Sequence, residues 1–184
     1  MKLRITLLVS LIALSSAFSL RAQTQTAPKP ATLRSLLLHE LRTTHAEADW
    51  FAPINTAVEG LTADQANWQP PHGGHSVGQL AYLMLFWNRR NLNNFRGVKN
   101  HKFGGDNTET FDKFDAKQWV DTVKQLDEVM ADLEKLVESA SDEQLANWAP
   151  TIANICTHNG YHTGQIVYVR KLQGSWNPDK GVKS

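Results

Sequence analysis

Between Trp119 and Val137 the apolar residues stand at Trp119, Val123, Leu126, Met130, Leu133 and Val137. Those steps of three and four bring side chains onto one face only in an α-helix. Lys117, Asp121, Lys124, Glu128 and Lys135 fall mainly on the rest of its circumference, so the stripe must be covered by other elements. Three further segments supply the cover. Residues 32–59 carry Leu33, Leu37, Leu41, Ala48, Phe51 and Val58 at helical spacing, with Pro53 predicting a kink or break near Phe51 and Gly60 and Thr62 marking the end. Residues 77–95 are apolar almost all round (Leu80, Leu83, Met84, Leu85, Phe86, Trp87), which predicts deep burial; Ser76 and Gln79 form a capping box at their start. Residues 151–173 form the last helix and Gly174 stops it. With the third helix over 116–139 and no strand-like alternation, the pattern predicts an all-α four-helix bundle.

The connections shape that bundle. Residues 70–75, Pro70-Pro71-His72-Gly73-Gly74-His75, read as a loop. Residues 96–115 are a long crossover between the second and third helices, which permits an order other than up-down-up-down. A weak repeat points the same way: Asp64-Gln65-Ala66-Asn67-Trp68-Gln69-Pro70 resembles Glu143-Gln144-Leu145-Ala146-Asn147-Trp148-Ala149-Pro150 with one residue inserted. Each copy is read as lying between the two helices of a pair, so that helices one and two match helices three and four.

The first 22 residues read as an address. Lys2 and Arg4 precede an uncharged, mostly apolar run over 5–20, and Ala22 precedes polar Gln23-Thr24-Gln25-Thr26, the layout of a signal peptide. The run is shorter than the roughly 20 residues of a membrane-spanning helix. An extracytoplasmic (periplasmic or secreted) chain is expected, with a polar linker over 23–31, one domain over 32–176 and a tail over 177–184. Losing Lys2, Arg4 and Arg21 leaves 16 basic against 18 acidic residues, a balance of −2, which gives no electrostatic case for nucleic acid or, after cleavage, for a membrane. The single cysteine, Cys156, excludes an internal disulfide, so packing must supply the stability.

Chemistry concentrates on the last helix. Ile155, His158, His162, Ile166 and Val169 follow the spacing of an inward line, and the two histidines, four apart, share one face. Buried imidazoles need partners: a divalent metal held by both, or hydrogen bonds to Tyr, Asp or backbone groups. Other candidates read more blandly. His45 and Asp49 share a face of the first helix that is expected to be solvated, His39 and His101 lack partners at useful spacing, and His72 and His75 flank loop glycines. Cys156 is rotated off the inward line and reads as packing, as Trp50, Trp68, Trp87 and Trp119 read as core or loop anchors. There is no phosphate loop and no serine nucleophile elbow.

The segment His158-Asn159-Gly160-Tyr161-His162-Thr163-Gly164-Gln165-Ile166, followed by Arg170-Lys171-Leu172, resembles the last-helix signature of the DinB-like superfamily. Ser76-Val77-Gly78-Gln79-Leu80 with Phe86-Trp87-Asn88 resembles its second helix, and residues 61–70 its preceding turn. The resemblance spans about 32–176 and implies a four-helix bundle, often a divalent-metal protein whose ion is held by one histidine from the second helix and two from the fourth. The fourth-helix pair falls on His158 and His162. The second-helix histidine falls on Leu83, and residues 81–87 contain no histidine; Tyr82 is rotated by about 100° and is a poor ligand, while His75 lies about 12 Å along the helix axis from Leu83 and would need the helix start to fold inward.

Two functions follow as expectations. One is a protein binding zinc or nickel through His158 and His162, acting as a metal-dependent hydrolase or transferase on a small molecule; the thiols used by characterised relatives are cytoplasmic, so hydrolysis suits an exported chain better. The other is a metal-free, non-catalytic small-molecule-binding or stress-associated bundle in which Leu83 fills the ligand space. Relatives often pair, so the resemblance also implies a homodimer, although no residue identifies its interface.

Overall fold

Among the described residues five helices begin with the same device. In the computed structural model, which describes residues 30–110 and 113–181, Thr32, Thr62, Ser76, Asp115 and Ser141 each accept a hydrogen bond from the backbone N–H three residues on. The side chains of Ser35, Gln65, Gln79, Gln118 and Gln144 return the bond to the capping residue's own N–H. Each box satisfies two of the N–H groups that a helix start leaves unpaired. The helices are α1 (Leu33–His45), α2 (Ile54–Val58), α3 (Ala63–Asn67), α4 (Val77–Phe95), α5 (Ala116–Ser139) and α6 (Asp142–Gln173), with α2 entered through Pro53. No strand forms among the described residues, and no helix there is long and apolar enough to cross a membrane. The expected signal segment 1–22 and residues 23–29 of the linker lie outside the described residues, as do 182–184 of the tail.

Two expected helices take different bounds. The first stops at His45, and residues 46–53 leave the helix before α2 resumes. Pro53 has no N–H and its ring excludes a helical carbonyl four residues earlier, so the interruption takes eight residues rather than a kink. It carries Trp50, 88% exposed and no part of the core. The last helix begins at Asp142 instead of 151 and runs through Pro150. An interior proline costs about 3 kcal/mol; the buried Leu145 and the contact of Trp148 with Phe95, ring centroids 5.0 Å apart, hold those first turns in place. The two repeat copies therefore start alike, each behind a capping box, and end differently. The first stops as α3 ahead of Pro70-Pro71 and the left-handed Gly73 and Gly74, while the second continues as α6.

Four long helices enclose the core, with α1 and α4 each packed between α5 and α6. Side-chain partners fix the directions. Arg34 reaches the carbonyls of Val137, Glu138 and Ala140 while His45 reaches Asp127 and Glu134, so α1 and α5 are antiparallel. Arg34 also meets Asp142 and Thr44 meets Cys156, so α1 and α6 are parallel. Arg89–Gln125 and Arg96–Asp132 make α4 and α5 parallel, and Asn88–Asn159 with Phe95–Trp148 makes α4 and α6 antiparallel. Exchanging α1 with α5 and α4 with α6 preserves every one of these relations, the arrangement that a duplicated helix pair produces. The parallel α4–α5 pair also explains the crossover, because two parallel neighbours cannot be joined by a tight turn.

The crossover is fastened where it re-enters the bundle. Asn67 donates to the Phe114 carbonyl at 2.7 Å and accepts from its N–H at 2.9 Å. The Phe114 ring then lies so close to Gly78 that a Cβ there would sit 2.7 Å from Phe114 Cδ2 and 3.1 Å from the Ala66 carbonyl oxygen. Gly78→Ala gains up to about 1 kcal/mol of helix propensity but overpacks a buried ring, at about 1–3 kcal/mol. We expect a net loss of about 1–2 kcal/mol, read as a lower urea midpoint at unchanged slope; a stabilised variant would show that the ring has room to move.

Candidate functional site

The buried line of α6 runs through Ile152, Ile155, Cys156, Asn159, Thr163, Ile166, Val169 and Arg170. The inward row expected through His158 and His162 is thus shifted by one residue. Asn159 and Thr163 occupy its centre, and the two imidazoles stand half-buried at its edge. One residue is a rotation of about 100°, small enough that apolar spacing alone does not separate the middle of a buried arc from its margin. Arg170, within the last-helix signature, proves structural: its guanidinium donates to the carbonyls of Ala57, Glu59 and Ser175 and so closes the end of α2.

At the centre, Asn88 of α4 and Asn159 of α6 are 1% and 0% exposed. Asn88 Nδ2 donates to Asn159 Oδ1 at 3.0 Å, and both amide nitrogens approach Met130 Sδ of α5 at 3.3 Å. Asn88 Oδ1 is buried without a hydrogen-bond partner. Neither asparagine stands out in the sequence; polar breaks in apolar stripes at 88 and 159 were the available signal.

The His158 and His162 rings lie edge to face, centroids 4.4 Å apart and planes at 78°. His162 Nδ1 is 2.6 Å from Gln165 Oε1, while Gln165 Nε2 donates to the Tyr161 hydroxyl at 3.2 Å. An amide oxygen only accepts, so His162 carries its proton on Nδ1 and leaves the Nε2 lone pair for another partner. Burial depresses the pKa of both rings. For His158, repulsion from His162 adds to that and the bond to Asn159 opposes it; for His162, the bond to Gln165 opposes burial while His75 adds to it. Both therefore favour the neutral, electron-donating form.

The remaining candidates separate. Leu83 is 5% exposed and stands outside the connected apolar core. With Asn88 opposite Asn159 on antiparallel helices, it is level with about residue 164 of α6. Tyr82 packs on Phe114 instead. His75 comes closer than its distance along α4 implied, since its loop folds over α6 and its charge is felt at His162. His45 and Asp49 do not form a pair: His45 is gripped by Glu134 and Asp127, at 2.6 and 2.9 Å, on the α1–α5 seam, and Asp49 meets His39 at 3.4 Å. Among the described residues no three His, Cys, Asp or Glu side chains are grouped as a metal site would require.

Beside His158 a cleft of about 430 Å³ opens between α4, the first half of α6 and the crossover. Its lining includes the buried Asn88 and Ile155 together with Trp87, Asn91 and Asn154. Trp87 is fixed by its N–H to Asn107 Oδ1 at 3.2 Å and by edge contacts with Phe86 and Phe103, centroids 5.3 Å away in each case. A second cavity of about 610 Å³ lies under the 68–75 loop, against Gln165, Tyr168 and Leu172.

Cys156 packs as expected, but it lies on the buried line of α6 and not rotated off it, because the row is shifted by one residue. It is buried, and burial together with the charge of Glu40 pushes its thiol up to about 12 against the opposing bond from Thr44. The thiolate is the reactive form. Iodoacetamide at pH 8 is therefore expected to leave the native chain unmodified by mass spectrometry and to label it once in denaturant. Rapid native labelling would mean an accessible, activated thiol.

A profile of the DinB superfamily matches residues 45–166. No curated protein and no solved structure matches the chain. The matched span holds the His158–His162 pair, the α4 motif and the crossover, and the helices around them are arranged as an all-α bundle. The chain belongs to the DinB superfamily.

Proposed function

We propose that this is an exported DinB-like protein that holds a divalent ion, zinc or nickel, through His158 and His162 and takes a small molecule in the adjoining cleft. One observation carries the reading: two adjacent imidazoles favour their neutral form, and one has its Nδ1–H committed to Gln165. A metal-binding histidine is typically oriented by such a bond from its other ring nitrogen, which also raises its basicity.

The donor set meets two of the three positions that the DinB resemblance implies and no more, because the α4 position is hydrocarbon at Leu83. A two-histidine site binds more weakly than a three-histidine site and leaves more positions open. A bound divalent ion supplies Lewis acidity toward a water or a carbonyl oxygen, which suits hydrolysis or group transfer on a small substrate. This chain's own contribution is to keep both rings neutral, to fix the His162 tautomer through Gln165, and to place His158 on the cleft wall. A second reading, a metal-free binding protein, is favoured by the buried Leu83.

Elemental analysis of the purified mature protein separates the two. The first reading expects about one zinc or nickel ion per chain after loading, lost in His158→Ala and His162→Ala at unchanged helicity. It also expects Leu83→His to tighten binding at least about tenfold, ~1.4 kcal/mol. If no stoichiometric ion binds and zinc leaves thermal unfolding unmoved, the metal-free reading stands. A Leu83→His chain that folds but gains no affinity would show that position 83 does not face the pair.

A further inference from the structure

We infer that the cleft beside His158 binds an uncharged small molecule rich in hydroxyl or carboxamide groups, and that Asn88 Oδ1 is its innermost acceptor. The inference rests on reading this cleft as a ligand site and needs no metal.

The first argument is the orphaned oxygen. Leaving a buried acceptor unpaired costs about 1–3 kcal/mol, and Asn88 Oδ1 is buried and unpaired. The other arm of the same planar amide is occupied in the core, with Nδ2 directed at Asn159 and Met130. Asn88, 1% exposed, is itself a lining residue of the cleft, so the cleft is the side from which a donor reaches the free arm. A hydroxyl or an amide N–H has the required proton.

The second argument is charge. Among the described residues no Asp, Glu, Lys or Arg lines this cleft. An ionised ligand entering it would lose water without gaining a counter-charge, which is strongly unfavourable, so the lining selects against acids and amines. Its polar groups are instead three further carboxamides (Asn91, Asn107 and Asn154), the Thr151 hydroxyl and the His158 ring. Carboxamides and hydroxyls both donate and accept; a ligand whose own groups do the same can satisfy several of them at once. Trp87, held in place by Asn107 and two phenylalanines, adds an apolar wall for the carbon skeleton between those groups. The volume, about 430 Å³, falls in the small-molecule range of roughly 300–1,000 Å³.

The test uses the mature chain with EDTA present, titrated with glucose, N-acetylglucosamine and acetamide, and with glucosamine and glucuronate as charged counterparts. Binding is followed by tryptophan fluorescence and by the side-chain amide signals of the asparagines. Saturable binding of at least one neutral probe is expected, at least tenfold tighter than its charged counterpart. Asn154→Ala, an exposed rim change, should weaken it about five- to tenfold at unchanged thermal stability; Asn88→Leu should abolish it if the chain folds. The comparison of glucose with acetamide tells whether hydroxyl or amide groups dominate. If no neutral probe saturates, a water alone partners Asn88 and the inference falls. Charged probes binding equally well, or binding indifferent to Asn154→Ala, would overturn it too. Zinc binding is measured separately, so a failure here leaves the metal reading intact, and a failure there leaves this titration unchanged.

Discussion

Three long helices meet at a buried pair of carboxamides. Asn88 and Asn159 are bonded to each other against the sulfur of Met130, in a core made mainly of aliphatic side chains with Phe114 and Trp119. Apolar side chains tolerate sliding, because dispersion and burial are not directional. A bonded amide pair does not: an axial shift of one residue, about 1.5 Å, would leave two buried amides unpaired. The pair thus fixes the register of α4 on α6, and the geometry of the candidate site depends on that register. It puts Leu83 level with the His162 region, sets Trp87 and Asn91 across from His158 and Asn154, and so defines the cleft.

Topology supplies the other constraint. Because α4 and α5 run parallel, the chain must travel the length of the bundle between them, and the segment that does so lines the cleft through Asn107 and packs Phe103 on Trp87. Its return is locked by Asn67 and by the contact of Phe114 with Gly78. The same glycine belongs to the α4 motif that resembles the superfamily's second helix. Arg170 of the last-helix signature holds α2 in the same way. Two residues of these signatures therefore have structural work that is independent of any metal.

Much of this was legible in the residues. The apolar stripe of 116–139 and the Ser76–Gln79 box gave α5 and α4 with their observed bounds, since period and caps agree there. The crossover was legible because nothing in 96–115 repeats. Position within a buried arc was not: His158 and Asn159 differ by one residue, and which of them faces the centre is decided by the helices packed against α6. Nor was the fate of Pro150, since a proline usually ends a helix but here yields to the packing of Leu145 and Trp148. Long-range polar partners were invisible for the same reason. His45 looked solvated beside Asp49, yet its two carboxylates come from α5, more than 80 residues away.

Leu83 links stability to affinity. In a metal-free bundle a histidine at that position would be a third buried imidazole, with a desolvation cost of about 1–3 kcal/mol if left unpaired. A leucine there instead contributes about 1.5–3 kcal/mol through burial. The exchange stabilises the empty bundle by an amount comparable to a sizeable share of a small domain's total stability, and under the proposed metal reading its cost would fall on metal affinity. The two remaining imidazoles keep the features that make them useful: they sit at the edge of the core, where half-exposure limits their desolvation, and Gln165 satisfies the Nδ1–H of one of them. Neutral, oriented donors beside an uncharged amide-lined cleft do not need a resident ion to be retained. They would be equally suited to accepting a hydrogen bond from the uncharged ligand proposed for the cleft.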